Sequence, residues 1–261
     1  MWNCRSVPSA VRCTSTKSWP WAGFSKWSSC LRTNELYASP PVRKSLGPAL
    51  RPGGEKLTRI MLDLAGPLQG AVALDAGCGC GASLALLRER GARAVGLDLN
   101  AVFLREARNE GMRVALADLA DLPLPSACLD LILCECAWNL TDKERVLTEF
   151  YRVLRPGGTL ALADIYARGC RTGDWPVRCC FAQATDLQTV LEQVTGAGFE
   201  IDVVEEHTEM LKKTAADFVF RHGSLHGFWQ AVTGDPLLAQ MACDASRVSK
   251  PGLFLLMAHA G

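Results

Sequence analysis

The stretch Leu74-Asp75-Ala76-Gly77-Cys78-Gly79-Cys80-Gly81-Ala82-Ser83 constrains this chain most, because an apolar strand ends on an acid and runs at once into a glycine-rich turn that opens a helix. Glycines at alternate positions let the backbone pass close to a ligand with no Cβ in the way, and the next helix offers free N–H groups at its N-terminus. Such a turn belongs to α/β architectures that seat a nucleotide cofactor over their strand ends. Gly77, Gly79 and Ala82 also satisfy the G-x-G-x-x-G/A spacing of dinucleotide binders, a pattern that discriminates little by itself. Asp75 argues against that reading, since a carboxylate beside the loop would repel a doubly charged pyrophosphate, whereas a cationic cofactor tolerates it.

Asp75, Gly77, Gly79 and Gly81 together meet the pattern [ED]-x-G-x-G-x-G, and the segment resembles motif I of the class I S-adenosylmethionine (SAM)-dependent methyltransferases. The resemblance covers residues 35–165 by specific motifs and 166–261 by the order of elements. It implies an α/β fold: a Rossmann-like, doubly wound seven-stranded sheet whose last strand, around Leu253–Ala258, is antiparallel. Residues 34–70 then form an N-terminal lid and 71–261 the methyltransferase domain, with a cofactor half (71–165) and a substrate-side half (166–261).

Asp98 ends the apolar run Ala94–Leu97, where a second parallel strand would finish beside the glycine turn, so its carboxylate can accept hydrogen bonds from both ribose hydroxyls. Asn100 is placed to cap the following helix. After a third strand, Asp118 leads into Asp121-Leu122-Pro123, similar to the family's D-x-x-x-L-P segment. By that resemblance Asp118 receives the adenine amino group and Leu119 N–H faces a ring nitrogen. Ala76, Cys78, Leu99 and Cys134 complete the implied cofactor contacts. Leu154-Arg155-Pro156-Gly157-Gly158 resembles the L-[RK]-P-G-G segment of the small-molecule branch, and the C-terminal part looks like an uncharacterised bacterial subgroup.

The run Leu129–Trp138 is almost continuously apolar, as expected of a strand covered on both faces. Its carboxyl end should floor the acceptor pocket, which makes Glu135, Trp138 and Asn139 candidates. Glu135 is the first candidate for a catalytic base and, equally, for a structural anchor, because an acid in an apolar strand end is costly unless paired or used. His226 is the second catalytic candidate. Tyr37 and Arg51 are candidate lid or pocket residues, with surface anchoring as the alternative. Cys179 and Cys180 lie in a loop expected over the pocket. With Cys170, Cys134 and Cys136 they could hold a soft metal or metalloid, although the spacing does not reproduce that of arsenite methyltransferases. No metal site is expected, and His222 and His226 read as structural histidines. Thr141 and Glu144 are expected to form a capping box.

Five of the 28 Lys and Arg residues fall in the first 34 positions, which contain no acid, so the remainder is net acidic and a nucleic-acid partner is not expected. Residues 1–33 combine that charge with serines, Pro8, Pro20 and scattered tryptophans, and are expected to be disordered. A transit-peptide composition and a translation start near Asn34 are the alternatives. No stretch reads as a signal peptide or bilayer span, so a cytoplasmic enzyme with free thiols is expected. SAM-dependent methyl transfer to a small molecule is the leading reading. A non-catalytic SAM-binding partner and a nicotinamide-dependent dehydrogenase are the alternatives.

Overall fold

A computed structural model of the protein describes residues 36–170 and 175–261. The expected disordered extension 1–33 lies outside the described residues. Seven strands, β1 (Val72–Ala76), β2 (Arg93–Asp98), β3 (Val114–Leu116), β4 (Leu129–Glu135), β5 (Leu154–Ala167), β6 (Phe199–Glu206) and β7 (Pro251–Ala260), form one sheet in the order β3-β2-β1-β4-β5-β7-β6. β7 is antiparallel to both of its neighbours, and the β1–β2, β1–β4, β2–β3 and β4–β5 pairings are parallel. This is the inverted terminal hairpin expected from the sequence.

The central strands are apolar on both sides because successive side chains enter opposite cores. Ile132 and Cys134 of β4 pack with Leu74, Leu160 and Phe254 on one face, while Leu131 and Leu133 pack with Ala73, Ala161 and Leu253 on the other. Helices α1 (Pro40–Leu46), α2 (Gly54–Leu64), α3 (Ala82–Glu89), α4 (Ala101–Asn109), α5 (Lys143–Val153), α6 (Leu187–Gly196), α7 (Thr208–His222), α8 (Leu225–Thr233) and α9 (Pro236–Ser249) cover the sheet and its edge. α1 packs on α7 and α8, and α8 on α9, around a third core of Val42, Cys179, Phe228, Trp229, Ala239 and Cys243.

Local chemistry explains the helix starts. Asn100 Oδ1 accepts from Val102 N and Phe103 N, Asp186 accepts from Thr189 N, and Asp235 accepts from Leu237 N ahead of a Pro at the first helical position. The helix start expected at Thr141 falls one residue later, with a simple N-cap in place of a capping box. Asp142 caps α5 by accepting from Arg145 N at 3.3 Å, while the Thr141 hydroxyl donates to Trp138 O at 2.7 Å. Around Arg155–Gly158, β5 already pairs with β4 at Leu154. The register jumps from Leu129↔Leu154 to Leu131↔Thr159, so the intervening residues bulge out of the ladder with Gly157 at φ 74°.

Candidate functional site

The glycine turn follows β1 in the order expected. Gly77, Gly79 and Gly81 have φ of 78°, 51° and 90°, the left-handed region that glycine occupies without strain. A Cβ on Gly77 would lie 2.4 Å from the Ala137 Cβ, so this position also requires close approach. Gly77 N and Cys78 N donate to Leu97 O at 2.8 and 3.0 Å, which fastens the loop to the end of β2. Asp98 closes the arrangement: Oδ2 accepts from Gly79 N at 2.9 Å and Oδ1 from Asn100 N at 2.7 Å. Burial raises its pKa, and these backbone hydrogen bonds oppose the rise.

Asp75 lies buried beneath the loop, and its Oδ2 has no hydrogen-bond partner. Burial, and next the charge of Glu135, push its carboxyl up to about 8. A buried acid oxygen without a donor, beside a backbone cradle that a Cβ would fill, fits a cationic ligand bearing a nucleoside. Ala76 is fully buried in β1 and supports the turn without facing the cavity. The Cys78 thiol packs against Gly96 and is held protonated chiefly by burial. Cys80 lies at the rim, 3.3 Å from Glu106 Oε2, with its thiol pushed up to about 12 mainly by burial.

Glu135 ends β4 and faces the same cavity, where three side chains from separate segments converge on it. Arg51 Nε donates to Oε1 at 3.0 Å, Thr58 Oγ1 of α2 lies 3.0 and 3.1 Å from the two carboxylate oxygens, and Ser83 Oγ of α3 donates to Oε2 at 2.7 Å. The Arg51 guanidinium also donates to Ser83 Oγ, Thr58 Oγ1 and Ala49 O. Both charged side chains are nearly sealed, at 7% and 3% exposure. Both carboxylate oxygens are thus engaged with donors, which makes Glu135 an anchor for the N-terminal segment and removes it as a free base.

The cradle is lined by Asp75, Gly77, Gly79, Asp98, Phe103, Arg51, Glu135 and neighbours, and it adjoins a second chamber through shared walls of Tyr37, Leu50 and Cys136. That chamber encloses about 980 Å³ including its open mouth, and it is walled by Trp175, Phe181, Phe218, Phe228 and Trp229 with Cys179 and Cys180. Tyr37 Oη accepts from Cys180 N at 3.2 Å. Burial, then the Cys180 and Cys179 thiols, raise the Tyr37 phenol. The Cys136 thiol is raised first by its hydrogen bond with Cys180 and then by burial.

Several expected site residues lie elsewhere. Trp138 is fully buried in the core, its Nε1 donating to Lys143 O at 3.2 Å while Lys143 Nζ sits 4.5 Å from the ring centroid. Asn139 Nδ2 donates to Asp164 Oδ1, Ile165 O and Cys180 O, so it ties the Cys179–Cys180 segment to β5 from behind the wall. Cys134 is sealed in the core. His226 lines neither cavity and contacts Pro236 O at 3.3 Å, which withdraws it as a catalytic group. Asp118 is exposed and accepts from Ala120 N at 2.9 Å, Leu119 is core, and Leu99 is exposed, so all three flank the cradle without lining it. Among the described residues, no group of three or more His, Cys, Asp or Glu side chains could hold a metal, and no helix is long and apolar enough to cross a membrane. The partners Arg51, Thr58 and Ser83 of Glu135 were only partly foreseen. An arginine ahead of Pro-Gly-Gly in an otherwise apolar stretch was the available signal.

Sheet order, the glycine turn and the acid that ends β2 define a doubly wound α/β protein with a cradle over its strand ends. The family described as Methyltransferase domain matches residues 74–162. O-methyltransferase cnsE of Penicillium expansum is 31% identical over 193 residues, covering 67% of this chain and 68% of that protein. The chain belongs to the class I SAM-dependent methyltransferases, and two solved phosphoethanolamine N-methyltransferase 2 structures from Haemonchus contortus with a similar fold hold S-adenosylhomocysteine or SAM. Methyltransferase GfsG of Streptomyces halstedii is 37% identical over 146 residues, 52% of each chain, so the chain spans about half the length of that curated relative and less of several others. The fold is also similar to the crystal structure of the [4+2]-cyclase SpnF, with a TM-score of 0.66 and 22% identity over 89% of this chain and 96% of that one.

Proposed function

We propose that this protein transfers the methyl group of SAM to a small-molecule acceptor by in-line displacement. One observation carries the reading: a charged, hydrogen-bonded cradle and an apolar chamber meet at Tyr37, Leu50 and Cys136, so donor and acceptor can be held in separate compartments with a common wall. The bound cofactor supplies an electrophilic methyl on a sulfonium. Asp98 is placed to hold the ribose hydroxyls, the Gly77–Gly81 backbone to pass beneath the nucleoside, and Asp75 to face the ammonium. Arg51, fixed by Glu135, holds the segment Tyr37–Leu50 over the cradle, which excludes water and orients the reactants. Glu135 is a positioning residue in this scheme.

Residues 34–70 act as the lid and 71–261 as the catalytic domain. The net acidic body supports a protein that binds no nucleic acid, and its thiol-rich composition suits a reducing cytoplasm. A cofactor-binding role without transfer is the second reading, favoured by the likeness to a protein named as a cyclase. Isothermal titration of SAM against wild type and Asp98→Ala tests the cofactor assignment, with binding expected to be lost in the variant. Unchanged affinity would overturn it. Release of S-adenosylhomocysteine with acceptor panels separates transfer from binding alone.

A further inference from the structure

The chamber beyond Tyr37 has a lining that selects a kind of acceptor. Its walls come from α1, α7, α8 and the Trp175–Phe181 segment, and six aromatic rings (Tyr37, Trp175, Phe181, Phe218, Phe228, Trp229) dominate them. Trp175 stacks on Phe181 at 5.2 Å between centroids, and Phe218 on Phe228 at 4.0 Å, so the walls are flat and mutually braced. Among the described lining residues Lys212 is the one charged side chain, and no carboxylate is present. An ammonium compound would have to lose a proton before its nitrogen could attack, and the chamber offers no carboxylate to take it. A diphosphate would find a single lysine, because Arg51 is spent on Glu135, Ser83 and Ala49.

The wall shared with the cradle also lacks a free base among the described residues. Glu135 has both oxygens engaged, and the Tyr37 phenol and Cys136 thiol are hydrogen-bonded to the Cys180 neighbourhood in an apolar setting that favours their neutral forms. An alcohol would need its proton removed during attack, and nothing at this wall is placed to take it.

Resting on the methyl-transfer reading above, we infer that the acceptor is an apolar organic acid that enters this chamber as its anion, with the hydrocarbon body among the aromatic rings and the ionised oxygen at the Tyr37–Cys136 wall. In the step the carboxylate oxygen's electron pair forms the new O–C bond while the methyl C–S bond breaks and its pair returns to sulfur. The products are a neutral ester and a neutral thioether, and no proton moves. Opposite charges vanish in this step, so a water-poor chamber favours it more than it would favour a reaction between neutral partners.

The test uses the full-length protein and 3-phenylpropanoate, 5-phenylpentanoate and 7-phenylheptanoate, with the matching alcohols and amines. With S-adenosylhomocysteine bound, titration calorimetry should show the acids tightening about fourfold per added methylene, and the amines binding at least tenfold more weakly than acids of the same length. With SAM, mass spectrometry should detect the methyl esters and no methyl ethers. Trp229→Leu should weaken acid binding with the SAM Kd unchanged, and Phe218→Glu, which places a like charge in the chamber, should act as a second, independent block. Chain-length independence, amines binding as well as acids, acids bound without ester formation, or methylated alcohols would each overturn the inference. If wild-type protein binds SAM while any of these occurs, the acceptor assignment alone falls. If it does not bind SAM, the cofactor reading beneath it falls too.

Discussion

Replacing Arg51 by Met separates an anchoring role for Glu135 from a catalytic one. In the native protein the guanidinium is 3.0 Å from Glu135 Oε1 and 2.7 Å from Ser83 Oγ, and the two charged side chains are 7% and 3% exposed. Methionine keeps the length of the stem and deletes the charge, leaving Glu135 buried with only the hydroxyls of Thr58 and Ser83 as donors. Breaking a buried pair from one side costs about 3–5 kcal/mol, whereas an exposed pair contributes about 0–1 kcal/mol. Urea unfolding at neutral pH should therefore show Arg51→Met less stable by about 3 kcal/mol or more, with the m-value unchanged. Arg51→Met/Glu135→Leu removes both charges, and it should recover most of that loss because no orphaned ion is left. SAM affinity should fall in both variants, since both release the Tyr37–Leu50 segment from the cradle. A single-variant loss below about 1 kcal/mol, or a double variant as unstable as the sum of the two singles, would refute a sealed latch.

Gly77→Ala combines a φ of 78° with a Cβ 2.4 Å from the Ala137 Cβ, which cannot swing away as a long side chain can. Left-handed strain alone costs about 1–2 kcal/mol, so SAM binding measured by calorimetry should weaken at least tenfold, and an unchanged Kd would show that the loop is not the cradle. For Asp75, burial lifts the carboxyl from 3.8 to about 8, so between those values the native state holds a proton that the unfolded chain has released. Its contribution to stability is thus largest at low pH and declines as pH rises from about 4 through about 8. The SAM ammonium should stabilise the ionised form, so binding near pH 7 should expel a proton, seen as a difference in apparent enthalpy between phosphate and Tris buffers. Asp75→Asn should remove that difference, and a buffer-dependent signal that survives the substitution would sink the assignment.

The cofactor half was legible because its determinants are local. A glycine turn, an acid ending β2 and an apolar β4 are each written within about ten residues, and the alternation of strands with capped helices leaves few ways to order the sheet. The acceptor side failed where local periodicity stopped applying. Placing the acceptor floor at the carboxyl end of β4 put Trp138 in the pocket, but Cys136 adopts φ 53° and Trp138 opens a short 3₁₀ turn, and the indole lies in the core. His226 was the second catalytic candidate, whereas Gly223 ends α7 in the left-handed region and Ser224 caps α8, a helix on which His226 lines neither cavity. Helix α9 was missed although Asp235, Pro236 and a terminal Arg247 were all in place to mark it. The Arg51–Glu135 pair joins residues far apart in sequence, and no pattern in one chain announces such a partner.

The connection between β6 and β7 shows why the acceptor side is the less local half. Antiparallel neighbours can be joined by a turn of two to five residues, and Glu206 already pairs with Phe254. Instead the chain inserts α7, α8 and α9 between these strands, and Leu211, Phe218, Phe228 and Trp229 from this insertion form one side of the chamber. The insertion contributes no group to the cradle, whose lining ends at Leu140. Substitutions in α7 and α8 can therefore alter which molecule is admitted without disturbing Asp75, Asp98 or the Gly77–Gly81 turn. The left-handed turn at Cys136 is where the two halves meet, since it follows a strand whose last acid is paired with Arg51 and lines both cavities itself. Acceptor choice should accordingly respond to changes on the inserted helices through KM, and cofactor affinity to changes in the turn and the latch.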